Sequence, residues 1–430
     1  MNQRVFLKTL FIMFIFLLFC VGASLGSSAP RTATVPSSVV GLATVPGSSD
    51  PSGDEWPMFH GQLNHTGVAQ TTLTNGTGPV WSYQIGNIWA SSPIVAYGRL
   101  FVSGYDSKVY CLNISTGAQL WNTTVSGVIA LAVADGSVFG GTSLGYFFCL
   151  NATTGQINWT SSIASGAINS PPAIAGGYAY VGCNDYKVYC VSITSHTVIW
   201  FNNTGAVLGS PAVVDGRVYV ASEGLLVYCL NATNGNIIWY NNTGGEATSS
   251  PAIAGGRVYV GSDSDKVYCM NATNGHIIWT YITGDDVASS PAVASGRVYV
   301  GSYDSKIYCL NATSGTFLWS YTTGGSVHSS PAVANGRVYV GSSDKKVYCL
   351  NAITGTFLWS YTTGGNVLFS PAVTNGHVYI GSQDNKIYCL PLDLLSGNPQ
   401  QQIPVFTMPF ILLGAIIAVG FLTLKRRIEF

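Results

Sequence analysis

Between residues 249 and 284 four short apolar runs alternate with polar breaks. PAIA stops at Gly255-Gly256, RVYVGS at DSD, KVYCMN at NATNG and HIIWTYITG at Gly284. The runs are rich in Val, Ile, Tyr and Trp, and the breaks in Gly, Asn, Asp and Ser. That pattern predicts four strands joined by tight turns. RVYV and KVYC carry bulky side chains on both alternate faces, as a strand covered on both sides does. The runs are too short and too β-branched to read as helices.

The unit recurs. Trp stands at 81, 121, 159, 200, 239, 279, 319 and 359, and Cys at 111, 149, 190, 229, 269, 309, 349 and 389. A period near 40 residues made of four strands predicts a propeller, in which each blade is covered by its neighbours. The Trp and Cys strands are out of phase. PVWSYQIG (79–86) precedes the first Cys strand, and the last Cys strand, KIYCL (386–390), has no Trp strand after it. The expected fold is therefore all-β: an eight-bladed β-propeller of four-stranded antiparallel blades over 56–391. The N-terminal strand 79–86 pairs with 386–390 and closes the ring, so that no edge stays open.

The two ends differ from the repeat. Residues 1–28 carry Arg4 and Lys8, an apolar run and then small residues, the order of a secretory signal peptide or an uncleaved signal anchor. Residues 29–55 are rich in Pro, Ser and Thr and read as a linker, and 392–404 as a second one. Residues 405–424 hold no charge and, at about 1.5 Å per residue, reach across a bilayer core as one transmembrane helix. Lys425, Arg426 and Arg427 follow, which sets the tail 425–430 in the cytoplasm and the propeller on the extracellular side of the cell membrane.

Charged residues are only 8% of the chain, and Lys+Arg and Asp+Glu both number 18. With no basic stripe, a nucleic-acid partner is excluded. The repeat cysteines occupy one place in every unit, and facing sheets lie about 10 Å apart, too far for a disulfide between equivalent positions. They are expected to be free, buried thiols. Cys183 and Cys190 share a hairpin, where in-register pairing is expected to set Cys183 opposite Val188, leaving Cys190 on the diagonal.

At VYCLNATNGNIIW (227–239) the repeat resembles the tryptophan-docking motif of pyrroloquinoline-quinone-type propellers, Ala-x-Asp-x-x-Thr-Gly-x-x-x-Trp. Cys229 stands at the Ala position, Asn231 at the Asp, Asn234 at the Thr, Gly235 at the Gly and Trp239 at the Trp. In the copy ending at Trp200, His196 replaces the Gly. The resemblance implies that Trp81, Trp121, Trp159, Trp200, Trp239, Trp279, Trp319 and Trp359 dock on the next blade. WPMFHGQLNHTG (56–67) is similar to the leader that precedes the first blade in exported propellers of this type. Quinoprotein dehydrogenases of this fold also carry adjacent cysteines over the cofactor, a calcium site and an Asp base. No Cys-Cys dipeptide is present, so no quinone cofactor, metal or catalytic residue is expected.

Other candidates remain. N-x-S/T occurs at Asn64, Asn75, Asn113, Asn122, Asn151, Asn158, Asn202, Asn231, Asn241, Asn271 and Asn311, and glycosylation is expected on an exported chain. Asn in NAT also fits a turn that caps its own backbone, whereas Asn122, Asn202 and Asn241 lie outside that turn. Glu246, Asp285, Asp286 and His328 fall in loops entering successive inner strands and form a candidate patch on one face for a ligand or metal, although solvated loop polarity explains them better. Asp304, Asp344 and Asp384 fit hairpin turns. The function expected is a monomeric, non-catalytic, membrane-anchored scaffold for a protein or glycan partner. The alternatives are an exported quinoprotein-like oxidoreductase and an assembly factor for envelope proteins.

Overall fold

The computed structural model describes residues 55–86 and 91–394. The signal segment, most of both linkers, the 405–424 span and the basic tail lie outside the described residues. Among the described residues no helix is long and apolar enough to cross a membrane.

The strands form eight four-stranded antiparallel blades. Blade 1 is Ile94–Ala96, Arg99–Gly104, Lys108–Asn113 and Gln119–Thr124, ordered from the centre outward. Blades 2 to 7 repeat this over 128–162, 173–203, 212–242, 252–282, 292–322 and 332–362. Blade 8 takes three strands from 372–391 and its outermost from Trp81–Gln84, with Trp81 opposite Cys389 and Gln84 opposite Lys386. The innermost strands touch in cyclic order, blade 8 against blade 1 included. Asn75–Gly76 also pairs with Asp393–Leu394, so the fold runs past residue 391, the boundary expected from sequence.

The core lies in the seams between blades. Tyr259, Cys269 and Trp279 of blade 5, for example, pack on Val298, Val300 and Leu310 of blade 6. This explains why RVYV and KVYC are bulky on both faces. Seven of the eight docking tryptophans donate the indole N–H to a carbonyl of the next blade at 2.9 to 3.2 Å: Trp81 to Ile114, Trp121 to Ala152, Trp200 to Ala232, Trp239 to Ala272, Trp279 to Ala312, Trp319 to Ala352 and Trp359 to Leu392. Trp159 stacks on His196, ring centroids 4.4 Å apart. At Trp81, Trp121, Trp200, Trp239, Trp279 and Trp319 the partner position is Gly because its φ is positive and the indole lies against it. At Gly315, φ is +71° and a Cβ would sit 2.5 Å from Trp279.

Sequence reading missed a second donor to the same carbonyls. The second-strand Tyr of the blade also donates there, Tyr219 to Ala272, Tyr259 to Ala312 and Tyr299 to Ala352, at 3.0 to 3.2 Å. The expected register at Cys183 is off by one. Cys183 pairs with Lys187, and Gly182 with Val188. The connection is a three-residue hairpin whose last residue, Tyr186, takes a left-handed φ of 69°.

All nine cysteines from Cys111 to Cys389 are free and buried. Burial pushes the thiols of Cys111, Cys269 and Cys309 up to about 12. We expect a thiol reagent to label few of them in the folded protein and all nine after denaturation without reductant. A denatured count near one would mean that disulfides form and the seams are built differently.

Candidate functional site

Antiparallel blades give the ring two faces. On the loop face, the segment entering each inner strand bonds to the hairpin between strands two and three, as Tyr303 N–H does to Asp286 C=O and Asp263 N–H to Glu246 C=O. On the turn face, the Asn turns bond to the hairpin between strands one and two, as Ala272 N–H does to Gly256 C=O.

The inner strand of each blade is a sheet edge with unpaired N–H groups, which must be satisfied or left to water. The leader satisfies one of them in six of the eight blades. It makes a circuit of the ring and bonds to one inner strand after another. Trp56 exchanges two bonds with Val95 of blade 1 at 2.8 Å, and Pro57 C=O accepts from Val133 of blade 2 at 2.7 Å. Met58 and Leu63 join the hydrophobic cluster that holds Ile174 of blade 3. The carbonyls of Leu63, Asn64, Thr66 and Gly67 then accept from Val213, Ile253, Val293 and Val333 of blades 4 to 7 at 2.8 to 2.9 Å. Blade 8 is reached where Gly376 N–H donates to Thr71 Oγ1 at 2.6 Å. The leader thus fills the central channel.

Within it lie two fully buried imidazoles. His60 Nδ1 bonds to His65 C=O at 3.2 Å, and His65 Nε2 meets Ser210 Oγ at 3.4 Å. The opposite ring nitrogens, His60 Nε2 and His65 Nδ1, have no partner. Burial pulls His60 down to about 4, and burial with the neighbouring His60 pulls His65 down to about 3. Both rings are neutral near pH 7.

A belt of serines runs along six of the eight inner strands, another feature not read from sequence. The backbone N–H groups of Ser210, Ser250, Ser290, Ser330 and Ser370 donate to the hydroxyls of Ser250, Ser290, Ser330, Ser370 and Ser92, each one blade on, at 2.8 to 3.0 Å. The Ser-Pro pair that leads into these inner strands therefore joins them to one another. Above the leader the loop face keeps a cavity of about 180 Å³ lined by Phe59, Ser92, Leu131, Pro171 and Phe369. Small-molecule sites usually measure about 300–1,000 Å³.

The loop face is divided. The hairpin tips of blades 1 to 4 present Tyr105, Leu144, Tyr186 and Leu225, which are 56%, 62%, 65% and 37% exposed. The hairpins of blades 5 to 8 show no exposed large apolar side chain among the described residues, and their one aromatic residue, Tyr303, is half-buried against His328. The candidate patch Glu246, Asp285, Asp286 and His328 does not form one cluster. Asp285 and Asp286 meet Asp265, which the sequence did not single out, with carboxylate oxygens within 4.8 Å of one another. Oxygens so placed are those a hard cation takes. Glu246 lies near Glu223, and the Glu223 carboxyl rises through burial and that charge. His328 packs on Tyr303, ring centroids 4.1 Å apart, and burial lowers its pKa. Asp304, Asp344 and Asp384 serve their hairpins. Each accepts from the Tyr four residues on and from the entering-loop N–H of Gly284, Gly324 or Gly364.

A family model described as outer membrane protein assembly factor BamB matches residues 69–161, 185–290, 223–330 and 282–411, together more than half of the chain. The outer membrane protein assembly factor BamB of Yersinia pestis is 33% identical over 117 residues, which is 26% of this chain and 30% of that protein. That of Moranella endobia is 30% identical over the same length. The match thus spans about a third of these curated relatives. Among solved structures, BamB from Moraxella catarrhalis superposes with a TM-score of 0.63 at 18% identity, covering 74% of this chain and 100% of that one. A europium-containing methanol dehydrogenase superposes at 0.65 with 14% identity, covering 79% and 90%. At those identities the likeness is one of fold.

Proposed function

Since this chain belongs to the family described as outer membrane protein assembly factor BamB, we propose that it is a non-catalytic, polypeptide-binding scaffold that assists the assembly of envelope proteins. The observation that carries this reading is the asymmetry of the ring's surface. The leader occupies the channel, and the loop face offers Tyr105, Leu144, Tyr186 and Leu225 on four consecutive blades. Rigid aromatic and aliphatic tips on a fixed framework suit recognition of another polypeptide. Of the functions weighed from sequence, the relatives favour assembly over glycan binding. In this reading the 405–424 span anchors the chain, the basic tail stays inside, and the loop face meets its partner outside the membrane.

A photo-crosslinking residue placed at Leu144 or Tyr186 of the full chain, in intact cells, tests it. Crosslinks to an envelope protein are expected from both tips. The same residue at Ile277, on an exposed outer strand, should give none of that product. Equal capture from Ile277, or no capture from the tips, would overturn the reading.

A further inference from the structure

In blades 1, 2, 4, 5 and 6 the turn asparagines Asn113, Asn151, Asn231, Asn271 and Asn311 use Oδ1 alone. Each accepts the N–H groups two and three residues on, at 2.8 to 3.2 Å. Among the described residues their Nδ2 groups donate to nothing. The hydroxyl two residues on is not needed by the turn. Blade 7 forms the same turn from Asn351 with Ile353 in that place, and blade 3 forms it from Ser192. Two of the Trp-strand asparagines differ. Asn202 and Asn241 spend Nδ2 on the next blade, donating to Gly235 C=O and Gly275 C=O at 2.8 Å each, and Thr204 and Thr243 beside them are buried. Asn64 lies in the leader, within the ring.

We propose that the five turn asparagines are N-glycosylation sites and that Asn64, Asn202 and Asn241 are not. The co-reactant is an oligosaccharide activated on a lipid diphosphate. Nδ2 forms a bond to its anomeric carbon, the bond from that carbon to the diphosphate oxygen breaks, and the lipid diphosphate leaves. The amide proton passes to a base of the transferase. The product keeps Oδ1 as a double acceptor, so the turn closes as before. A sugar on Asn202 or Asn241 must instead lie between two blades, whether it is added before or after folding. The five sites ring the turn face and leave the loop face bare, on the side opposite the exposed tips. The sites do not depend on the assembly reading.

Glycopeptide mass spectrometry of the full chain purified from its own membranes tests this, alongside a Thr233→Ala, Thr273→Ala, Thr313→Ala variant. Those threonines are exposed, so the fold is kept. The native protein is expected to carry glycan on the turn asparagines and none on Asn64, Asn202 or Asn241. The variant should lose three glycan masses at an unchanged melting temperature, and Thr→Ser at the same places should keep them. Unmodified turn asparagines, or glycan on any of the other three, would overturn the proposal.

Discussion

A chain lacking residues 79–86 should no longer accumulate as a folded monomer. The deletion removes Trp81, which pairs with Cys389 and donates to Ile114 of blade 1. It thus strips blade 8 of its outer strand and removes the tie between the last blade and the first. Removing a buried Trp side chain alone costs roughly 3–5 kcal/mol, against a domain stability of roughly 5–15 kcal/mol. The loss adds an open edge at Lys386–Pro391, whose residues are almost all buried. Such an edge recruits other chains. Size-exclusion chromatography and thermal unfolding should show aggregate, or a melting temperature lowered by many degrees. A monomer with the parent's melting temperature would mean that the ring closes in another way.

Acid should unfold the protein through the leader. In an unfolded chain both imidazoles titrate near 6.5. In the fold His60 does so at about 4 and His65 at about 3. Between those limits the unfolded state binds up to two more protons, so stability falls as pH falls from 6.5 and this contribution levels off below about 3. The shifts correspond to roughly 3 and roughly 5 kcal/mol once both differences are fully expressed. Above pH 6.5 both rings are neutral in either state, so protonation of the pair no longer affects stability. Denaturant unfolding followed from pH 7 to pH 4 should therefore show a steep loss. A His60→Asn, His65→Gln variant keeps a donor near each bonded nitrogen and should flatten it. An equally steep profile in the variant would place the acid sensitivity elsewhere, in the carboxylates.

The ring was legible because its signal repeats. The strand periods, the count of eight and the closure by 79–86 follow from where Trp and Cys fall out of phase. The roles of Tyr219 and of the serines before proline were not, although both repeat. A Tyr in RVYV looks like seam filling until its hydroxyl is seen to share Ala272 C=O with Trp239. A Ser before Pro looks like a strand start until its hydroxyl is seen to accept from the blade before. The leader's circuit left least trace, since it works through backbone carbonyls of an aperiodic segment. The acidic patch was read from loops of like position, but which carboxylates meet depends on how each loop folds. Asp285 and Asp286 find Asp265 in a hairpin, while Glu246 finds Glu223 one blade back.

That the channel is filled by the chain's own leader is the claim on which the rest turns, and native-state hydrogen exchange tests it directly. The inner-strand amides of Val133, Val213, Ile253, Val293 and Val333 each donate to a leader carbonyl. They should exchange as slowly as amides in the middle of the blades, and all should speed up together in the His60→Asn, His65→Gln variant at denaturant levels that loosen the leader. Rapid exchange at these five amides in the native protein, like that of any open sheet edge, would contradict the account.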